Sequence, residues 1–242
     1  MTREDFISQC KRLFELNGLF CSDEQAEKLF LLTERMLEIN KTMNLTAIKD
    51  EKAIILKHYV DCASIISHIP IGSKIIDVGC GAGFPTLPLA IFRPDLSITA
   101  LDGTAKRINY VSETARLLRL DNVTAIAGRA EEYAHKEGYR ESFDIATARA
   151  VASLPVLCEL CLPYVRIGGF MLAMKSQQAE DELAASGRCI ELCGGADTKI
   201  ISCDLMSDNG ENEERNLIFI KKSQKTQPVY PRHFSKISKK PL

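Results

Sequence analysis

Residues 74–102 read KIIDVGCGAGFPTLPLAIFRPDLSITALD. Two short runs rich in Ile, Val, Thr and Leu, SKIIDV and LSITALD, flank a glycine turn and the apolar stretch PTLPLAIF. The runs are nearly continuous in apolar residues, as expected of strands covered on both faces. Strand, glycine turn, helix and strand in succession predict two parallel strands joined by a helical crossover.

The alternation continues outward. AKRINYVSETARLLRL follows the second strand, and NVTAIAG leads to AEEYAHKEG. FDIATARA then leads to SLPVLCELCLPYV, and GGFMLAMK to AEDELAASG. TKIISCDL and RNLIFIKK close the series with no helix between them, which predicts a hairpin at one sheet edge. The fold class is therefore α/β, a doubly wound, mostly parallel sheet with helices on both faces. Upstream the rhythm is helical. Phe6, Cys10, Leu13 and Phe14 share one face. Ser22 and Gln25 form a capping box that opens a second helix with the stripe Leu29, Leu32 and Met36. A third helix from about Glu51 sets Ile55, Tyr59, Cys62 and Ile66 on one side. The predicted organisation is an N-terminal helical extension packed on the core (1–70), a ligand-binding core (71–222) and a basic C-terminal tail (223–242).

The chain of 242 residues is 45% hydrophobic and 26% charged, as in an ordinary globular protein. No apolar run approaches the roughly 20 residues of a membrane span, and the charged, amphipathic start lacks the features of a signal peptide. The expectation is a cytoplasmic protein without a membrane. The nine cysteines are odd in number and scattered, which argues against a disulfide framework. Cys158 and Cys161 lie on one face of an apolar helix and read as core residues, with no metal expected. Net charge is −1, but its distribution is uneven. From Lys221 onward there are seven cations and no acid: Lys221, Lys222, Lys225, Arg232, Lys236, Lys239 and Lys240. The acidic run SDNGENEE precedes them. Such a tail is either a solubilising end or a contact for phosphates.

Ligands in doubly wound sheets bind beyond the carboxyl ends of the strands, where Asp77-Val78-Gly79-Cys80-Gly81-Ala82-Gly83 falls. The dinucleotide pattern G-x-G-x-x-G fails, because Phe84 takes the place of its last glycine. A phosphate-binding loop fails too, since no Gly-Lys-Ser/Thr follows. Asp102 closes the next strand, where a carboxylate can accept hydrogen bonds from ribose hydroxyls. The third strand ends in Gly128-Arg129-Ala130-Glu131, a loop able to face an adenine edge, or equally an ordinary helix start.

DVGCGAG, the strand-end acid and the third-strand loop resemble the core of class I methyltransferases, which have a seven-stranded sheet of this type. MNLTAI, HYVDCASI, IIDVGCGAGFPTLPLAI, GRAEEY, ARAVASLPVL, AMKSQ, ERNLIFIKK, YPR and the final KKPL resemble the glucose-inhibited division protein B family. Its members are bacterial 16S ribosomal RNA guanine-N7 methyltransferases. The resemblance implies S-adenosyl-L-methionine as cofactor and 16S ribosomal RNA or the small ribosomal subunit as partner. It implies cofactor contacts at Gly79, Phe84, Asp102, Ala130, Glu131 and Arg149. It further implies catalytic roles for Arg149 and Lys175, and RNA contacts at Arg129, Lys175, Arg215 and Arg232. His58 and Asp61 match a helical pair flanking the mouth. Cys80, Cys62, Thr86 and the tail HFSKISKKPL depart from the family pattern.

The chemistry left open by the residues is consistent with this. Methylation of exocyclic amines commonly uses an Asn/Asp-Pro-Pro-aromatic motif after the fourth strand, where this chain has Ala146-Thr147-Ala148-Arg149-Ala150. Cys161-Leu162-Pro163, the nearest match to a pyrimidine-attacking cysteine, lies late in a helix. Guanine N7 carries a free lone pair and loses no proton on methylation, so alignment is the chief requirement. Arg149 is expected either to hold RNA phosphates or to pair with Asp144 or Glu131. His58 is read as a hydrogen-bonded structural residue rather than a base. A small-molecule methyltransferase and a non-catalytic ribosome assembly factor are the alternatives. A monomer is expected, although no residue pattern fixes the oligomeric state. The sequence also leaves open the target nucleotide and whether naked RNA or an assembled subunit is the substrate.

Overall fold

The computed structural model describes residues 1–242. Helix α1 (Arg3–Leu16) starts where the Asp5 amide donates to the Thr2 hydroxyl. Helix α2 (Asp23–Met43) starts at the predicted box: Gln25 N donates to Ser22 Oγ, and Ser22 N to Gln25 Oε1. All four named α1 residues and the α2 stripe are fully buried. Burying each such side chain contributes roughly 1.5–3 kcal/mol.

The third helix departs from the expectation of one regular α-helix. A short α3 (Glu51–Ile54) passes into a π-helical turn at Ile55–Val60 and then α4 (Asp61–Ala63). The wider turn buries His58 as well as Ile55 and Tyr59. Single π-turns concentrate at functional sites. Ile66, assigned to the same face, instead lies half-buried in a 3₁₀ turn.

The strands fall close to the predicted runs: β1 (Lys74–Val78), β2 (Ser97–Asp102), β3 (Val123–Ala127), β4 (Phe143–Arg149), β5 (Val165–Lys175) and β6 (Gly195–Ser202). A two-residue pair, β7 (Leu205–Met206) and β8 (Asn212–Glu213), precedes β9 (Asn216–Lys222). The seven-stranded sheet has the order β3-β2-β1-β4-β5-β9-β6, with only β9 antiparallel to its neighbours. The terminal hairpin exists, but β9 inserts between β5 and β6. Helices α5 (Thr86–Phe92), α6 (Ala105–Leu117), α7 (Ala130–Tyr133), α8 (Leu154–Cys161), α9 (Ala179–Ala185) and α10 (Gly187–Leu192) make the crossovers.

Strand alternation divides the core in two. Ile75, Ile98, Ile145, Leu172 and Leu217 face the N-terminal helices and α5, forming one cluster with Phe6 and Leu29. Ile76, Leu101, Ala146, Met171 and Ile218 face α8 on the other side, where Cys158 and Cys161 are buried as expected. The acidic run SDNGENEE forms the turn and second strand of the β7–β8 ribbon, which lies on the N-terminal helices. Asn17 exchanges two hydrogen bonds with the Met206 backbone. Lys52 meets Asp208 at 2.7 Å and Lys57 meets Glu213 at 2.5 Å.

The tail is not a free basic arm. Lys222 is fully buried and donates to Leu162 O, Cys193 O and the Thr226 hydroxyl. Its burial brings the ammonium pKa down to about 8. Arg140 binds the carbonyls of Thr226, Gln227 and Tyr230, and His135 Nε2 donates to Pro231 O. A last helix, α11 (Phe234–Lys239), buries Ile237 against the α8 side of the sheet.

Candidate active site

The glycine turn leaves β1 with Gly79 at φ +77° and Gly81 at φ +56°, conformations that disfavour side chains. Gly79 N donates to Leu101 O at 2.7 Å, which ties the turn to β2. A Cβ on Gly79 would lie 2.9 Å from a Val151 methyl, so the loop after β4 closes over the turn. Asp102 is buried at the end of β2. Its Oδ2 accepts from Gly81 N at 3.0 Å and its Oδ1 from Thr104 N at 2.8 Å. Each oxygen keeps a lone pair for a further donor. Beside it a cavity of about 280 Å³ opens at the ends of β1, β2 and β3. Gly79, Asp102, Arg129, Ala130 and Glu131 line it. This is the switch region where doubly wound sheets hold ligands. Four expected cofactor residues thus converge: Gly79, Asp102, Ala130 and Glu131.

Phe84 and Arg149, also expected there, lie behind that cavity and do not line it. The Phe84 ring stacks on His58, with centroids 4.6 Å apart, and the Arg149 guanidinium carbon lies 5.1 Å from the centroid of the same Phe84 ring. Arg149 Nη1 donates to Asp61 Oδ2 at 2.8 Å and to Lys57 O at 3.0 Å, while Nη2 lies 3.1 Å from His58 Nδ1. The partner is therefore Asp61. The candidates near in sequence are occupied elsewhere: Asp144 by Arg166 and Glu131 by Arg129.

These contacts fix the state of His58. A guanidinium only donates, so Nδ1 must accept and the ring proton sits on Nε2. Nε2–H then donates to the Thr46 hydroxyl at 2.9 Å, and that oxygen also accepts from Ile48 N. Burial, reinforced by the Arg149 charge, lowers the His58 pKa to about 3. The imidazole is neutral at pH 7, with both nitrogens engaged. Asp77, fully buried at the head of the turn, has the opposite shift. Burial raises its pKa to about 7, against hydrogen bonds from the Thr86 hydroxyl and amide. Asp77 Oδ1 and Thr147 Oγ1, in register on β1 and β4, have no hydrogen-bond partner.

The expected RNA contacts divide by exposure. The Arg129 side chain is 47% exposed at the cavity rim, although it pairs with Glu131. Arg215 bridges Asp61 and Glu213. Lys175 lines no part of the cavity; its ammonium donates to Ala152 O and Glu182 Oε2, both at 2.7 Å. Glu182 also accepts from Leu154 N, so Lys175 and Glu182 together fasten the loop after Arg149. Arg232 holds the buried Glu159 through its amide and guanidinium.

Two participants escape sequence reasoning. Thr46 lies in MNLTAI, a segment that carries the family resemblance without pointing to a role for any one residue. Its backbone exchanges two hydrogen bonds with Asn40, which aims the hydroxyl at His58. Phe234 lies in the tail and lines the cavity, 132 residues beyond Asp102 in the chain.

The family model described as rRNA small subunit methyltransferase G matches residues 25–218. Ribosomal RNA small subunit methyltransferase G of Clostridium botulinum (strain ATCC 19397 / Type A) is 41% identical over 223 residues, 91% of this chain and 92% of its own length. The protein of the same name from Acetivibrio thermocellus is 43% identical over 227 residues, 93% and 92% of the two chains. Among solved structures, a SAM-dependent methyltransferase from Methanosarcina mazei superposes with a TM-score of 0.51 at 16% identity, covering 66% of this chain and 97% of that one. At that identity the likeness concerns the fold alone.

Proposed function

Because the chain belongs to the rRNA small subunit methyltransferase G family, we propose that it transfers the methyl group of S-adenosyl-L-methionine to N7 of a guanine in 16S ribosomal RNA, in the cytoplasm. The observation that carries the choice of atom is His58, held neutral with both ring nitrogens engaged. A histidine that is not free to take a proton suits a nucleophile that has none to lose.

The residues fit the cofactor. Asp102 offers two buried oxygens with spare lone pairs to ribose hydroxyls, and the glycines admit the ligand close to the backbone. The Gly128–Glu131 loop faces the remaining end of the cavity. When bound, the cofactor supplies an electrophilic methyl group on a sulfonium. The protein then has to orient the guanine and exclude water, which is mostly positioning. Arg149 acts from behind the turn: bound to Asp61, Lys57 and His58, it fixes the π-turn against β4. Its charge is balanced by Asp61, so it need not repel the sulfonium. Lys175 acts through the 150–154 loop that it anchors. Arg129 is the expected RNA contact with most surface to offer a phosphate.

The test incubates the protein with S-adenosyl-L-methionine and 16S ribosomal RNA, and in parallel with small ribosomal subunits, followed by nucleoside mass spectrometry. N7-methylguanosine is the expected product. A product methylated on an exocyclic amine or a pyrimidine carbon would overturn the assignment, as would no product from either substrate.

A further inference from the structure

Phe234 is an apolar ring standing half-exposed at the cavity beside Asp102, and its position is not incidental. Two residues earlier, Arg232 is fixed to Glu159 of α8. Arg232 N and Nε donate to Glu159 Oε1, both at 2.8 Å, and Nη2 to Oε2 at 2.6 Å. Glu159 is fully buried. Without Arg232 it would be an uncompensated charge in an apolar helix, so undocking this segment is costly. Three residues later, Ile237 is fully buried in the α8-side core. Phe234 is thus held between two anchors.

The ring faces the cavity that contains Asp102, Gly128 and Ala130. Its other contact is Arg129, whose guanidinium carbon lies 4.8 Å from the ring centroid. Arg129 in turn bonds Glu131 at 3.2 Å. Tail and third-strand loop therefore form one continuous wall, Phe234–Arg129–Glu131, at the end of the cavity away from the glycine turn. A flat apolar ring at that end suits a purine face. Aromatic surfaces bind bases with little regard to their hydrogen-bonding pattern.

We propose that the C-terminal segment is part of the cofactor site, with Phe234 as the outer wall against which the purine of the cofactor packs. The inference rests on the S-adenosyl-L-methionine reading above. It makes the tail a determinant of cofactor affinity, where the sequence had suggested an independent RNA-binding or solubilising end.

Titration calorimetry of the full-length protein with adenosine and with S-adenosylhomocysteine tests it, using wild type, Phe234→Ala and Phe234→Leu. The Ala variant should bind both ligands about tenfold more weakly, by a similar factor and with unchanged stoichiometry, because the wall touches the part they share. The Leu variant keeps apolar bulk and should lose less, about threefold. Should Phe234→Ala prove too unstable to titrate, Phe234→Leu decides alone. Unchanged affinity would overturn the proposal. So would tighter binding, which would mean that Phe234 plugs the purine's place instead of walling it. If wild type binds neither ligand, the cofactor reading itself fails and this inference falls with it.

Discussion

Replacing Arg149 by Met would test the polar layer behind the cofactor turn. Methionine keeps much of the aliphatic stem but removes the donors to Asp61, Lys57 O and His58. Breaking a buried ion pair from one side costs about 3–5 kcal/mol. Here the cost should be smaller. Asp61 keeps Arg215 at 3.3 Å, and the Arg149 side chain is 15% exposed. We expect about 2–3 kcal/mol for Arg149→Met and about 1–2 kcal/mol for Asp61→Asn. The double variant should cost less than the sum, by about 1–2 kcal/mol, because neither charge is then left alone. Urea unfolding at neutral pH with an unchanged slope reads these values. A second readout is the His58 titration followed by NMR. Its pKa is lowered first by burial and then by the Arg149 charge. Removing the charge and freeing Nδ1 should move it upward from about 3, while burial keeps it below the ordinary value. The sign follows. His58 binds fewer protons folded than unfolded between about pH 3 and 6.5, so the wild type loses stability as pH falls through that window. Arg149→Met should lose less over the same window. An Arg149→Met cost below about 0.5 kcal/mol, or an additive cycle, would refute the buried-pair account.

Asp77 has the opposite sign: its folded pKa of about 7 lies above the unfolded value, so stability is lost as pH rises from about 4 to 7. Asp77→Asn, which can still accept from Thr86, should therefore gain stability relative to wild type as pH rises through that window, by roughly 4 kcal/mol between about pH 4 and 8, in thermal unfolding. A pH-independent difference would show that Asp77 does not titrate there. At Asp102, the Ala variant should bind S-adenosylhomocysteine at least about tenfold more weakly in calorimetry, and Asn, which retains one acceptor, should fall between; equal affinity in Asp102→Ala and wild type would remove Asp102 from the site. Because His58 has no free nitrogen, no limb of the single-turnover methylation rate between about pH 6.5 and 8.5 should depend on it. A limb near neutrality that disappears in His58→Gln would instead make His58 a base.

The sheet was legible because its signals are local. KIIDV and SITALD are apolar runs of strand length, and the acid that closes the second run falls at a strand end by counting alone. Gly79, Asp102 and the Gly128–Glu131 loop converge because parallel strands all deliver their carboxyl ends to one edge. What remained illegible are partnerships between residues far apart in sequence. Arg149 has acids at 131 and 144, yet its partner is Asp61, brought near by a π-turn that no periodicity announces. The charge count of the tail hid the roles of two of its seven cations for a related reason, while Lys221, Lys225, Lys236, Lys239 and Lys240 stay exposed. A count gives sign but not burial, and Lys222 and Arg232 are both committed to internal partners. One signal was available. LPVLCELC carries a single acid, Glu159, in an otherwise apolar helix. A carboxylate buried on such a helix requires a cation from elsewhere in the chain. The tail, with no acid of its own, is the natural source of that cation. Read in that way, the basic composition after Lys221 implies docking before it implies RNA, and docking carries Phe234 to the cavity.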